Sequence, residues 1–330
     1  MEDANIDRHA ETRGEKTTVS KDAILHSALG MIGNTPLVSL ERIHPGPGRL
    51  LAKAEFVQPG GSVKDRAALR IIQDAYSAGK LSPGKPVVEM TSGNMGAGLA
   101  VVCNVMGNPF VAVMSEGNSP ARARMLESLG AEVVLVPQVD GAPGQVTGRD
   151  IEKATERAVE LAQTRGAFYV DQFNNVSSVL AHEAGTGPEI WEAVGGEIDG
   201  FVAAVGSGGA FVGTSRFLKR RKPSVYCAAV EPEGAEILAG KKVTKPKHII
   251  QGIGYGIVPP HWDVSLADTT IAVSDEQAAR FRKELANKEG LCVGFSAAAN
   301  VCASLKLLSS GRLGASPTVV TILCDTGLKY

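Results

Sequence analysis

Short apolar runs alternate with segments of helical period along most of this chain, and that alternation leaves few folds open. Residues 86–90 (PVVEM), 109–114 (PFVAVM) and 131–137 (AEVVLVP) read as strands. Between and after them the apolar spacing is helical, over 94–106, 120–129 and 151–165. A second series follows, with strands at 200–205, 224–230 and 317–323 and helices at 213–221, 276–289 and 296–308. This rhythm predicts parallel sheets with helices on both faces. The expected fold class is α/β, with two halves, each a mostly parallel sheet flanked by helices, around a cleft of the kind where ligands bind. The glycine-rich stretch 139–149 reads as a loop.

Composition narrows the function classes. The chain has 330 residues, 44% hydrophobic, with a net charge of −1. That balance argues against a nucleic-acid partner, which needs a basic face. No apolar run reaches membrane length and no secretory signal opens the sequence. Residues 1–22 are polar and charged and read as a disordered tail. The five cysteines are scattered, without a CxxC or Cys/His cluster. They read as reduced buried thiols rather than a metal site, which points to the cytoplasm.

Residues 58–66, Gln-Pro-Gly-Gly-Ser-Val-Lys-Asp-Arg, set Lys64 between a glycine turn and the amphipathic run 67–76. A turn that opens a helix leaves N–H groups unpaired, and these favour an anion. A lysine held there in a dry site can form a Schiff base with a carbonyl compound. A lone lysine after a turn is usually just solvated; other segments argue for the sharper reading.

Thr91-Ser92-Gly93-Asn94-Met95-Gly96 follows a strand and opens a helix, so its donors can grip a carboxylate, or simply cap the helix. Gly206-Ser207-Gly208-Gly209 also joins strand to helix and admits a phosphate close to the backbone. It is neither a Walker loop nor a full dinucleotide fingerprint, which argues against a nicotinamide dehydrogenase. Gln251-Gly252-Ile253-Gly254-Tyr255-Gly256 is a second glycine-spaced loop able to close over a ligand. Ser296 opens a helix, either as its N-cap or as a partner for a ring nitrogen. Gln172, in the DQF segment 171–173, can hold a carboxylate or a loop backbone.

These pieces, with Met31-Ile32-Gly33-Asn34-Thr35-Pro36-Leu37 ahead of them, resemble the cysteine synthase / cystathionine β-synthase family in order and spacing from about residue 29 to 325. These are the fold-type II, tryptophan synthase β-like enzymes that depend on pyridoxal 5′-phosphate. Val63 and Met95 resemble the β-replacement branch rather than the threonine dehydratases and serine racemases. The resemblance implies a large cofactor domain at 23–59 and 169–330 and a small mobile domain at 60–168. It implies that Lys64 is the Schiff-base lysine. Asn94 would bond the cofactor's ring oxygen, residues Gly206, Ser207, Gly208 and Gly209 its phosphate, and Ser296 its pyridine nitrogen. A neutral serine there makes the cofactor a weaker electron sink, which suits β-elimination. Thr91, Ser92, Asn94 and Gln172 would bind the substrate carboxylate, with Gly252 and Tyr255 on the loop above it.

The sequence departs from relatives at Ala210, where many have Thr, at Ser178-Val179, where many have Asn-Pro, and at Ala298, where many have Gly. Met95 stands where a Thr is common. Tyr255 is like the tyrosine of serine-using cystathionine β-synthases. The implied activity is β-replacement on an O-activated L-serine or on L-serine, with a thiol, sulfide or amine as nucleophile, in a homodimer. Elimination to pyruvate and ammonia, or a non-catalytic sensor on the same fold, are the alternatives.

Overall fold

A computed structural model describes residues 24–144 and 146–329; the expected tail at 1–22 lies outside them. Among the described residues ten strands form two sheets. In the first, β1 (Leu37–Ser39), β2 (Arg49–Ala54), β10 (Thr318–Leu323), β7 (Gly200–Ala204), β8 (Tyr226–Pro232) and β9 (Thr269–Val273) lie in that spatial order. Only the β1–β2 pair is antiparallel. The second sheet is wholly parallel, in the order β5 (Glu132–Val136), β4 (Phe110–Ser115), β3 (Val87–Met90) and β6 (Phe168–Tyr169).

Helices cover both faces of each sheet, as side chains that alternate along buried strands require. On the smaller sheet, Val87, Phe110, Ala112 and Met114 meet α1 (Lys64–Ser77) and α2 (Asn94–Met106). Val88, Val111 and Val113 face the other way, onto Ala154, Ala158 and Leu161 of α4 (Gly148–Thr164). Between them α3 (Pro120–Ser128) connects β4 to β5. On the larger sheet one face meets α8 (Asp275–Glu284) and α9 (Phe295–Leu308). The opposite face meets α6 (Gly187–Ala193) and α7 (Gly209–Arg221), with Val179 of α5 (Ser177–Ala181) in the same cluster.

The expected elements are present, with shifts that local chemistry explains. Thr147 and Asp150 form a reciprocal capping box, so α4 begins at Gly148 inside the stretch read as a loop. A second box, Ser274 with Gln277, starts α8, whose last turn loosens to a π-type turn over Leu285–Glu289. The helix expected over 213–221 starts four residues earlier, at Gly209. Strands β1, β2 and β9 were not anticipated. β1 and β9 lie at the sheet edges with only partial burial, and the apolar run of the interior strand β2 is interrupted by the charged Arg49 and Lys53, so the apolar signal is weak in all three.

Under the Lys64 turn lies a buried ionic cluster. Arg66 Nε donates to Glu55 Oε2 at 2.7 Å, and its Nη1 donates to Glu189 Oε1 at 2.6 Å. Lys53 Nζ sits 2.7 Å from Glu189, and Thr35 Oγ1 donates to Glu55 at 2.7 Å. Burial works against the charge on Arg66, but Glu189 and Glu55 outweigh it and keep the guanidinium protonated. Burial also pushes the Glu189 carboxyl up, while Arg66 and Lys53 hold it down to about 2. Breaking such a cluster leaves charge without a partner. Arg66→Met is expected to cost about 3–5 kcal/mol of folding free energy. Urea unfolding measures it, and a loss below about 1 kcal/mol would show that the cluster relaxes around the change.

Candidate active site

Strands β7 and β10 run parallel and adjacent, so their carboxyl ends share one edge. In open α/β sheets that edge is where ligands bind. Residues 206–209 follow β7; Cys324 and Asp325 follow β10. The lysine turn is joined to this extension of β10. Val63 N–H donates to Cys324 O (2.8 Å), and Thr326 N–H donates to Gly61 O (3.1 Å). Ser62 faces Asp325 in an antiparallel bridge, and Val293, ahead of α9, bridges Thr326.

Lys64, the first residue of α1, is thereby held half-buried beside Cys324 and Asp325. Burial lowers its ammonium pKa, against the opposing pull of those two side chains. A lysine moved toward its neutral form attacks carbonyls. Asn94 Nδ2 donates to Asp325 Oδ2 at 2.7 Å. Ser296 is buried and hydrogen-bonded to Cys324, whose thiol burial pushes up to about 12. Lys64, Asn94 and Ser296 thus converge on Cys324 and Asp325.

The capping alternatives do not hold. The N-caps of α2 and α9 are Gly93 and Gly294, each without a side-chain cap bond. Ser92, Asn94 and Ser296 are therefore not caps. Thr91 does support the helix start, its Oγ1 accepting from Gly96 N–H at 3.1 Å.

The remaining expected residues form a rim. Ser92 Oγ accepts from Arg122 Nη1 at 3.2 Å, and Arg122 Nη2 also donates to Gln251 Oε1. Arg122 so ties the 91–96 segment to the 251–256 loop. That loop touches the 206–209 turn, because a Cβ on Gly206 would lie 2.3 Å from Gly252 O. Tyr255, 48% exposed, meets Phe173 edge-on with centroids 5.6 Å apart. Gln172 is bonded to a carboxyl of the protein itself, that of Glu89. Its N–H donates to Glu89 Oε1 at 3.4 Å, beside the Asp171 N–H to Oε2 at 2.9 Å, and its side chain bonds Glu89 as well. Burial raises the Glu89 carboxyl to about 8.

The 206–209 turn has the properties of a phosphate cradle. Ser207 is buried, and the first N–H groups of α7 have no helical acceptor. A Cβ on Gly209 would sit 2.8 Å from Ser178 O, so only glycine admits this approach. Ser178 Oγ, 3.2 Å from the same point, is buried with no hydrogen-bond partner among the described residues. A phosphate oxygen there would satisfy it, in place of the hydroxyl that Ala210 lacks. Among the described residues no cluster of three or more His, Cys, Asp or Glu is placed to hold a metal ion.

Sequence reasoning missed Cys324, Asp325, Arg122 and Lys329, whose Nζ donates to Asn94 Oδ1 at 2.9 Å, as members of this site. Asp325 had a signal, since it follows a buried strand at its carboxyl end. Arg122 and Lys329 had none, as their spacing is that of ordinary surface charges.

Comparison with known proteins shows the family. Residues 28–325 match the family described as "Pyridoxal-phosphate dependent enzyme". Cysteine synthase 1 of Neurospora crassa is 38% identical over 323 residues, covering 94% of this chain and 84% of that protein. The crystal structure of O-acetyl serine sulfhydrylase isoform 3 from Entamoeba histolytica superposes with a TM-score of 0.86 at 33% identity, over 94% of this chain and 91% of that one. That of O-ureido-L-serine synthase gives 0.84 at 34% identity, over 93% of each chain. The chain therefore belongs to the pyridoxal-phosphate dependent enzyme family and has the α/β fold of its O-acetylserine sulfhydrylase-like members.

Proposed function

We propose that this protein catalyses β-replacement on an O-activated L-serine or on L-serine, yielding L-cysteine or another β-substituted L-alanine. The observation that carries the reading is Lys64, its ammonium disfavoured by burial, set against Asn94 through Asp325 and against Ser296 through Cys324. Bound pyridoxal phosphate supplies a carbonyl for the substrate amine and a conjugated ring that takes up electrons released at Cα. Lys64 would hold the cofactor, and residues 206–209 with Ser178 its phosphate. Asn94 would face its ring oxygen and Ser296 its ring nitrogen.

The other residues act on the substrate. Ser92, Asn94 and the N–H groups at the start of α2 receive its carboxylate. Thr91 and Gln172 shape that pocket from behind, and Gly252 and Tyr255 cover the β-carbon. The amine of Lys64 takes the Cα proton as general base. The leaving group departs from Cβ with its bonding pair, a thiol, sulfide or amine adds there, and the proton returns to Cα. Closure of residues 60–168 over the carboxylate, through the Arg122 link, expels water from the cleft. Similarity to an O-acetylserine sulfhydrylase and an O-ureido-L-serine synthase supports an O-activated donor. The free cysteines, three of them buried, suit a reducing cytoplasm, and a homodimer is the assembly proposed.

Adding O-acetylserine, O-phosphoserine and serine separately, each with sulfide, homocysteine or an amine, tests the reading by cofactor spectrum and product. No turnover with any donor and acceptor would overturn it. Lys64→Ala is expected to abolish turnover and the borohydride-sensitive absorbance while the circular dichroism stays as in wild type. Multiple turnover by the mutant without added amine would remove Lys64 from its role. Ser92→Ala is expected to weaken amino-acid binding about tenfold to a hundredfold, as one lost hydrogen bond to a charged group does, with little change in cofactor affinity. Titration followed by the cofactor's absorbance measures this. Ser178→Ala is expected to show the reverse pattern, weaker cofactor retention with unchanged substrate affinity once saturated, measured by equilibrium dialysis of pyridoxal phosphate.

A further inference from the structure

Asn94 is held at both ends of its amide. Nδ2 donates to Asp325 Oδ2 at 2.7 Å, and Oδ1 accepts from Lys329 Nζ at 2.9 Å. The same Nζ also donates to the carbonyl of Gly60, in the turn that leads to Lys64. Lys329 comes to this place from the short turn Gly327–Lys329, just beyond the segment bridged to Ser62. Its Nζ and Cε lie 3.4 and 3.3 Å from the position of a Cβ on Gly61, so the side chain runs along the glycine turn.

The chemistry of the two partners settles the orientation of the amide. An ammonium only donates and a carboxylate only accepts. Rotating the Asn94 amide by half a turn would set its NH₂ against the ammonium and its oxygen against the carboxylate. Both contacts would become repulsive. With Oδ1 held by Lys329 and one N–H of Nδ2 held by Asp325, the amide keeps its second N–H for the cleft.

We propose that Lys329 is a positioning residue that fixes the Asn94 amide as a hydrogen-bond donor toward the cleft and pins the Gly60–Gly61 turn that aims Lys64. It rests on the reading of Asn94 as a cofactor contact. The ligand atom it selects is an acceptor, such as the ionised ring oxygen of pyridoxal phosphate. Lys329 needs no contact with that atom, since it acts through Asn94. The ammonium is itself half-buried, and burial lowers its pKa against the pull of Asp65 and Asp325. Its hydrogen bonds go to the Asn94 oxygen and the Gly60 carbonyl.

A double-mutant cycle tests this on cofactor affinity rather than turnover. Apoproteins of wild type, Lys329→Met, Asn94→Ala and the double variant are titrated with pyridoxal phosphate, with apoprotein melting as a check of folding. Lys329→Met is expected to weaken binding about tenfold in the wild-type background, the scale of one charged hydrogen bond, and by less than about twofold in Asn94→Ala. Lys329→Arg, which keeps the donors, is expected to recover most of the loss. Equal losses in both backgrounds would overturn the inference, because Lys329 would then act independently of Asn94. Wild-type affinity in Lys329→Met would overturn it too. Unchanged affinity in Asn94→Ala alone would instead remove Asn94 from the cofactor, which separates failure of that reading from failure of this one. Should Lys329→Met fail to fold, Lys329→Gln replaces it under the same criteria.

Discussion

The antiparallel bridge between Ser62 and Asp325, with the Val63 to Cys324 hydrogen bond beside it, is the constraint on which the site depends. It joins a turn near the start of the chain to the extension of a strand more than 250 residues later. One side of the join carries Lys64, and the other carries the two side chains that Asn94 and Ser296 contact. Backbone hydrogen bonds set this registry, so it does not rely on the rotamers of exposed side chains. A displacement of the turn by one residue would turn Lys64 away from the cleft and put Val63 in its place.

Beneath the bridge, Arg66 is committed to Glu55 and Glu189, two residues past the lysine. Charges buried this deeply are tolerated only as complete sets, so the cluster opposes rotation of α1 about its axis. Its worth lies in orientation more than in stability. The first turn of α1 is fastened from below by Arg66 and from the side by the β10 extension. The rim is fastened more lightly, through one guanidinium at Arg122 with neutral partners on both sides. That contrast fits a rigid reacting centre under a yielding cover.

Much of this was legible in the sequence because it depends on local chemistry. Strand–turn–helix junctions at 91–96 and 206–209 announce themselves through glycine, Ser and Asn, and the strands of both sheets through apolar runs. Lys64 stood out only in company with the other segments, since a turn before a lysine is by itself ambiguous. The partners were not legible. Cys324 reads as one more buried thiol, Asp325 as the polar end of a strand, and Arg122 and Lys329 as surface charges. Each gains its meaning from a residue distant in sequence, and a single chain carries no mark of such pairing. The edge strands β1 and β9 were hidden for another reason, since half-buried short strands have too few apolar positions to show a period. Ser92 and Ser296 show the converse. Their residue types are those of helix caps, yet glycines take the cap positions and leave both hydroxyls for other partners.

Glu89 gives the smaller sheet an alkaline limit. Its carboxyl, buried in β3, titrates at about 8 in the fold against 4.5 in an unfolded chain, so the folded protein binds that proton more tightly. The stabilisation this brings is full below about 4.5, declines as the pH rises, and is gone above about 8. The group that loses its proton is the one that receives the Asp171 and Gln172 N–H groups. As a buried anion it would hold those two donors more strongly while resisting burial itself. Base would thus set the anchorage of the Gln172 segment against the integrity of the sheet that carries it.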